Sequence, residues 1–251
     1  MKVIVVSQPM YFPWVGLFEQ MRLADTFVHF DDVPFPQGRS FQSRVQIRTA
    51  NGSQWLTVPV LRGSELIQDV KVDSTQRWRE KHIKTLQASY ARTPHFDEMM
   101  ELAETVLNSQ SESLAEINIQ SLEAVSQYFG FETKFIRSSE LSARGASSEK
   151  LFNIVRELGG NCYVTGHGAF NYLDHALFNE NGIAVEYMQY QRKPYPQPYP
   201  DFDPHVSILD LIANCGKAGA EVICSKSIDW REHAAKQERL EVCVETVLTA
   251  A

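Results

Sequence analysis

The stretch "SQPMYFPWVG", residues 7–16, holds the first side chains able to do chemistry. Gln8 carries one carbonyl and two N–H donors, which suits a purine edge, an amide or a carboxylate. Tyr11 and Trp14 flank Pro13, where a loop needing only to reverse the chain would use Gly, Asn or Asp. They can stack on a base or cover a sugar ring, or they can be core aromatics that anchor the loop. Gly16 would let the helix that follows start close to a ligand.

Further along are Asp31 and Asp32, adjacent in an extended segment and so expected on opposite faces, a poor arrangement for a paired acid and base. Either can serve as a hydroxyl acceptor or metal ligand, or can cap a turn. Arg44, among Gln42, Gln46 and Arg48, is a residue type that clamps carboxylate or phosphate, and is also common as an exposed strand arginine. His82 follows Lys81 and lies near Trp78, at the border of a helical stripe formed by Ile83, Leu86 and Tyr90 at about 100° per residue. A general base with a tuned pKa and a half-buried packing histidine both fit that position. Gly166-His167-Gly168 separates a strand from a helix and lacks the third glycine of a dinucleotide fingerprint, so it is weak as a phosphate cradle. Tyr190, Tyr195, Gln197 and Tyr199 stand in a proline-rich connector that reads as an aromatic lid or as a strap on the core.

These groups need a scaffold, and the composition supplies one. The chain has 251 residues, 43% of them hydrophobic and 22% charged, enough to bury a sizeable core. Its net charge of −7 gives no global basic field for nucleic acid or an anionic membrane, so an anionic ligand needs a local pocket. Cys162, Cys215, Cys224 and Cys243 form no CxxC pair and read as reduced core thiols. No signal peptide and no membrane-length apolar run is visible, which points to a cytoplasmic protein without membrane insertion. No metal-ligand cluster is recognisable, so no metal is expected.

The pattern along the chain is that of an α/β fold: a Rossmann-like, mostly parallel sheet with a β-hairpin and a helical insertion. Strands are expected at 2–7 and 26–33 with a helix between, then a hairpin of 43–49 and 53–60 joined by Ala50-Asn51-Gly52. Residues 74–129 read as three helices, with Ser74 and Ser113 as N-caps, Pro94 as a divider and Gly130 as the final stop. The α/β alternation resumes over 130–225, and 226–251 reads as a polar helical tail. One domain is expected, with a core of 1–73 and 130–225 and a helical subdomain of 74–129. Ligands of such sheets lie beyond the carboxyl ends of the strands, at Ser7-Gln8, Asp31-Asp32, Ser138-Ser139 and Gly166-His167-Gly168.

Taken as a set, "QPMYFPWVGLFEQMRLADTFVHFDDV", "SRVQIR", "WLTVPV", "WREKHIKTLQASYARTPHF", "YVTGHGAFNYLD", the spaced "Y....YPQ" and "SILDLIANCG" resemble the WbqC-like family, from about residue 3 to residue 217. The resemblance implies a setting in polysaccharide, O-antigen or other small-molecule biosynthesis. It covers Gln8, Pro9, Tyr11, Pro13, Trp14, Gly16, Asp25, Asp31, Arg44 and Trp55. It continues through Pro59, Lys81, His82, Tyr90, Tyr163, Gly166, Tyr172, Tyr195, Gln197, Ser207 and Asp210. A weaker likeness in layout is to nucleotidylyltransferases and adenylate-forming ligases, but "PWVGLF" lacks both histidines of their HIGH-type motif.

The expectation that results is an acyl or aminoacyl transferase, or amide-forming ligase, acting on an amine or hydroxyl of an activated sugar or related metabolite. Its catalytic residues would be His82 as base, with Lys81 and Asp31. Gln8, Tyr11, Trp14, Arg44, Tyr90, Gly166, His167, Tyr195 and Gln197 would bind substrate. ATP, an aminoacyl-tRNA or an acyl carrier would supply the activated group. The alternative is a non-catalytic small-molecule-binding or scaffold protein of such a pathway.

Overall fold

The computed structural model describes residues 1–36, 38, 40–61, 63, 66–237 and 239. Five parallel strands, β1 (Val3–Ser7), β2 (Thr26–His29), β5 (Lys134–Arg137), β6 (Cys162–Thr165) and β7 (Ala184–Gln189), form one sheet with the antiparallel edge strand β8 (Lys226–Asp229). Its order is β5-β2-β1-β6-β7-β8. The hairpin strands β3 (Arg44–Thr49) and β4 (Gly52–Thr57) make a separate two-stranded sheet. The α/β class expected from the sequence is the one the chain adopts.

Alternation along the strands divides the core into two layers. Val5 and Phe27, paired across β1 and β2, pack with α1 (Val15–Arg22), α3 (Phe96–Leu107), α4 (Leu114–Phe129) and α7 (Ile208–Cys215). Ile4, Val6 and Val28 face the opposite layer, which contains α5 (Ser147–Glu157) and α6 (His175–Glu180). Helix α2 (Trp78–Tyr90) places Trp78, Leu86 and Tyr90 in the first layer, alongside Val45, Ile47 and Leu56 of the hairpin. The helices of 74–129 therefore share a hydrophobic core with one face of the sheet.

Local capping explains most boundaries. Ser113 Oγ accepts the Glu116 amide at the start of α4, and Gly130 closes that helix at φ 71°, a left-handed conformation that glycine adopts without steric cost. Ser74 does not cap α2: the Asp73 carboxylate takes the Thr75 amide, the Thr75 hydroxyl and the Gln76 amide group, holding a turn that delays the helix to Trp78. Strand β2 ends at His29, not at residue 33. Residues 226–229, expected to be helical, form β8 beside β7, with helix following over 230–237. Cys162, Cys215 and Cys224 are free thiols. Cys243 and the tail beyond residue 239 lie outside the described residues.

Two features of this topology position a site. From β1 the chain moves outward through β2 to β5, then returns to β6 on the other side of β1. The succession thus reverses between β1 and β6, and loops leaving these neighbouring strands part there to opposite layers, opening a crevice beyond their carboxyl ends. The hairpin lies over the first layer and faces α2, which creates a second concavity.

Candidate functional site

The crevice between the ends of β1 and β6 is a cavity of about 390 Å³. It is lined by Ser7, Gln8, Met10 and Trp14 from the first loop and Leu17 and Gln20 from α1. Tyr163, Thr165, Gly166 and Gly168 contribute from β6 and its loop, with Tyr172, Tyr190 and Phe30 at its sides. Among the described residues, no Asp, Glu, Lys, Arg or His belongs to this lining. Hydroxyls, primary amides and aromatic faces are what it offers a ligand.

The first loop is held in shape rather than left to fluctuate. Phe12 is buried with φ 39°, a left-handed conformation that a bulky side chain takes only where its surroundings impose it. The Tyr11 amide donates to the Phe41 carbonyl, Ser207 Oγ donates 2.8 Å to the Phe12 carbonyl, and the Ile208 amide donates 2.8 Å to the Pro13 carbonyl. Asn118 Nδ2 donates to the Pro9 and Gln42 carbonyls from within α4. Gln42 Nε2 donates 2.6 Å to Gln8 Oε1, which fixes the orientation of the Gln8 amide and turns its own N–H pair away from Gln42. Trp14 packs 5.1 Å from the Tyr190 ring and 5.4 Å from the His205 ring. Its indole lies over the first turn of α1, where a Cβ on Gly16 would come within 2.2 Å of the ring. At the other wall a Cβ on Gly166 would lie 3.1 Å from the Tyr190 hydroxyl, so that position too is crowded. Burial, followed by the nearby Glu19, pushes the Tyr190 phenol up to about 12, which keeps it a neutral hydrogen-bonding group at pH 7.

His82 and Lys81 belong to the other concavity. A groove of about 460 Å³ between the hairpin and α2 is lined by Trp55, Thr57, Pro59, Trp78, Lys81 and His82, and it shares no lining residue with the crevice. His82 is 3% exposed, and its Nδ1 lies 2.9 Å from the Tyr11 hydroxyl. Burial lowers its pKa to about 4, aided by the charge of Lys81 and opposed by a hydrogen bond with the Thr57 main chain. The imidazole is therefore neutral at pH 7, with Nδ1 as the acceptor for Tyr11. Arg44 stacks 3.9 Å over the Trp55 ring at the hairpin.

The remaining residues singled out in the sequence hold the fold together. Asp31 is 1% exposed, and its carboxylate accepts from the Ser139 amide at 3.0 Å, the Ser139 hydroxyl at 2.9 Å and the Ser138 hydroxyl at 3.1 Å. Asp32 also receives the Ser138 hydroxyl, and pairs with Lys150 at 2.7 Å. The two carboxylates thus converge on one serine instead of pointing to opposite faces, because the strand has already ended at His29. Tyr90, Tyr195 and Gln197 converge on Asp210, which is fully buried: Tyr90 donates at 3.0 Å, Tyr195 at 2.9 Å and Gln197 at 2.9 Å. Burial raises the Asp210 pKa, and these donors oppose the rise. This hub ties the connector that contains Tyr195 and Gln197 to α2 and α7. His167 is exposed at the crevice rim, with Nε2 donating to the Met188 carbonyl and its ring 4.9 Å from that of His233.

Gln8, Trp14 and Gly166 are thus brought together at the crevice, with His167 beside them, while Lys81 and His82 meet elsewhere and Tyr11 links the two. Asp31 and Arg44 join neither cavity lining. Sequence reasoning passed over Gln20 and Thr165. Gln20 is 5% exposed on the buried stripe of α1, where an amide among Leu17, Phe18 and Met21 was the available signal, and its Nε2 donates 3.3 Å to the Val164 carbonyl. Thr165 ends a fully buried strand beside the glycines.

Residues 8–222, which include every element of both concavities except β1, match the family model described as the WbqC-like protein family. The chain belongs to this family. Its similarity extends to a relative of Mycobacterium tuberculosis named "Uncharacterized protein Rv1507c", 33% identical over 221 residues that cover 86% of this chain and 95% of the relative. No solved structure matches the chain. In this chain the residues that carry the resemblance fall into two groups: Gln8, Trp14, Gly166 and Tyr172 line the crevice, whereas Asp31, Tyr90, Tyr195, Gln197 and Asp210 are bound up in internal hydrogen bonds. Asp25, also in the motif, accepts the Val3 amide at 2.6 Å and fixes the entry to β1. Among the described residues, no helix is long and apolar enough to cross a membrane, and no group of three or more His, Cys, Asp or Glu is placed to hold a metal ion.

Proposed function

We propose that this WbqC-like protein binds an uncharged, hydroxylated ring, a sugar or the sugar portion of an activated metabolite, in the crevice between β1 and β6. The observation that carries this reading is the lining: aromatic faces from Trp14, Tyr172 and Tyr190 beside Gln8, Thr165 and Ser7, with no ionised side chain. Apolar ring faces stack on aromatics and hydroxyl edges bond to amides and hydroxyls, whereas a polyphosphate would find no cation there. A volume of about 390 Å³ is in the range of a single small-molecule site.

Within a biosynthetic pathway, the ring is the acceptor for an acyl or aminoacyl group on one of its amines or hydroxyls. ATP, an aminoacyl-tRNA or an acyl carrier is the source of activation. In this reading Gln8 and Trp14 position the acceptor. His82 does not take its proton, since the imidazole lies in the other groove with Nδ1 engaged by Tyr11. The test is calorimetry with neutral sugars, nucleosides and nucleotide sugars, followed by mass spectrometry of the ligands that bind after incubation with ATP and amino acids. Saturable binding lost in Gln8→Ala supports the site, and an acylated product supports transfer. Binding with an unchanged ligand identifies a non-catalytic carrier or scaffold, and no binding by any neutral ring refutes the assignment.

A further inference from the structure

We propose that the groove between the β3–β4 hairpin and α2 is a second binding site, one that takes the oxyanion group of a phosphorylated or carboxylated small molecule. This site does not depend on what occupies the crevice.

The first observation is shape. The cavity of about 460 Å³ above His82 adjoins another of about 610 Å³, and both are lined by Gln54, Arg77, Lys81 and Thr85, so they form one continuous groove. The second is charge. Arg77, Lys81 and Lys84 stand at i, i+4 and i+7, which puts them on one face of α2 along the groove edge. Arg77 is engaged by Glu80, its Nε donating at 3.0 Å. Among the described residues, neither Lys81 nor Lys84 forms an ion pair. Glu80 also lines this groove, held by Arg77 and close enough to Lys84 to feel its charge, so the three cations leave a net positive charge facing the concavity in a protein of net charge −7. A solvated basic stripe on a convex helix would need no ligand, but here the opposite wall is built.

That wall and floor supply the third observation. Trp55, 36% exposed, presents an aromatic face with the Arg44 guanidinium stacked on it. Trp78, 4% exposed, lines the groove next to His82 and keeps its indole N–H buried without a partner. The indole N–H lies beneath the groove surface, so Trp78 contributes an aromatic wall whose buried N–H reports on a ligand seated against it. Cations at the rim beside an aromatic platform suit an oxyanion carried on a compact organic body. The crevice, with no charged side chain, has the opposite preference. The loop of residues 8–14 joins them, with Gln8 in one and Tyr11 bonded to His82 of the other.

The experiment is two-dimensional ¹H–¹⁵N NMR of the full chain at low salt, titrated separately with inorganic phosphate and succinate. The Trp78 indole resonance, assigned by Trp78→Phe, and the amides of residues 51–57 and 77–85 should shift and saturate. Saturation by phosphate alone identifies a phosphorylated ligand, by succinate alone a carboxylated one, and either supports the site. The Lys81→Gln/Lys84→Gln variant, altered only at exposed positions, should weaken the response about tenfold while retaining a folded spectrum. Non-saturating shifts, no shift with either anion, or equal affinity in the variant would overturn the proposal. A neutral methyl glycoside provides the separate readout for the crevice: its effect at Gln8 and Thr165 should be untouched by the lysine changes, so the two sites fail independently.

Discussion

Replacing His82 by Asn should abolish about 2 kcal/mol of the acid sensitivity of this fold between pH 7 and pH 5. In the folded chain, burial pushes the imidazole down to about 4, from its ordinary value of 6.5. Between those values the unfolded chain binds more protons at this position than the folded one. The associated stability is fully present above 6.5 and declines as the pH falls towards 4. Evaluated at pH 7 and pH 5, these two values give a loss of about 2 kcal/mol from this one group. Asn does not titrate, and its side-chain carbonyl can stand near the position of Nδ1 to accept the Tyr11 hydroxyl. Urea unfolding of both proteins at the two pH values gives the difference of differences. His175 and His233, whose pKa values burial also lowers, contribute equally to both proteins and cancel. Equal losses in the wild type and the variant would refute the reasoning, since they would mean that His82 protonates as readily folded as unfolded.

Three further substitutions test the scaffold around the two concavities. Asp210→Asn replaces one acceptor oxygen with a donor in a hub that receives Tyr90, Tyr195 and Gln197, and should cost about 2–3 kcal/mol in urea unfolding. It should also speed proteolysis within residues 190–206; unchanged cleavage would show that the hub does not restrain the connector. Gly16→Ala drives a methyl into the Trp14 indole and should cost about 1–3 kcal/mol, with weaker binding of neutral rings in the crevice. The stability cost should vanish in a Trp14→Ala background, and a cost that persists there would place the clash elsewhere. Ser138→Ala removes a hydroxyl shared by Asp31 and Asp32, and should destabilise by about 1–2 kcal/mol by calorimetry. A neutral result would show that the Ser139 contacts alone secure Asp31.

The elements were legible wherever a local cause was sufficient. Ser113 and Gly130 bound α4 through hydrogen bonds and a left-handed turn within a few residues of themselves, and Asn51-Gly52 closes the hairpin by its own backbone preference. Ser74 misled because Asp73, one residue earlier, gathers the local donors first. Residues 226–229 misled for a different reason: their polar sequence has little strand character, and only the open edge of β7 recruits them. Asp31 and Asp32 looked like strand neighbours on opposite faces, an inference that failed once the strand stopped two residues before them.

The sequence by itself determined the α/β alternation, the bulky proline-bounded loop after β1 and the WbqC-like signature, because periodicity, turn chemistry and residue order are properties of contiguous segments. It also marked Gln8 and Gly166 as residues just beyond strand ends and Trp14 as an aromatic of the loop after the first strand. Tertiary structure alone decided that these three share a crevice while His82 and Lys81 line a different groove, since both outcomes depend on strand order and on where the hairpin rests. It likewise decided that Tyr90, Tyr195 and Gln197 meet at Asp210, partners separated by up to 120 residues whose union no local pattern encodes. A buried carboxylate must find its donors wherever folding delivers them, so the same polar residue types can line a ligand cavity or hold a scaffold, and burial and hydrogen-bond partners distinguish the two.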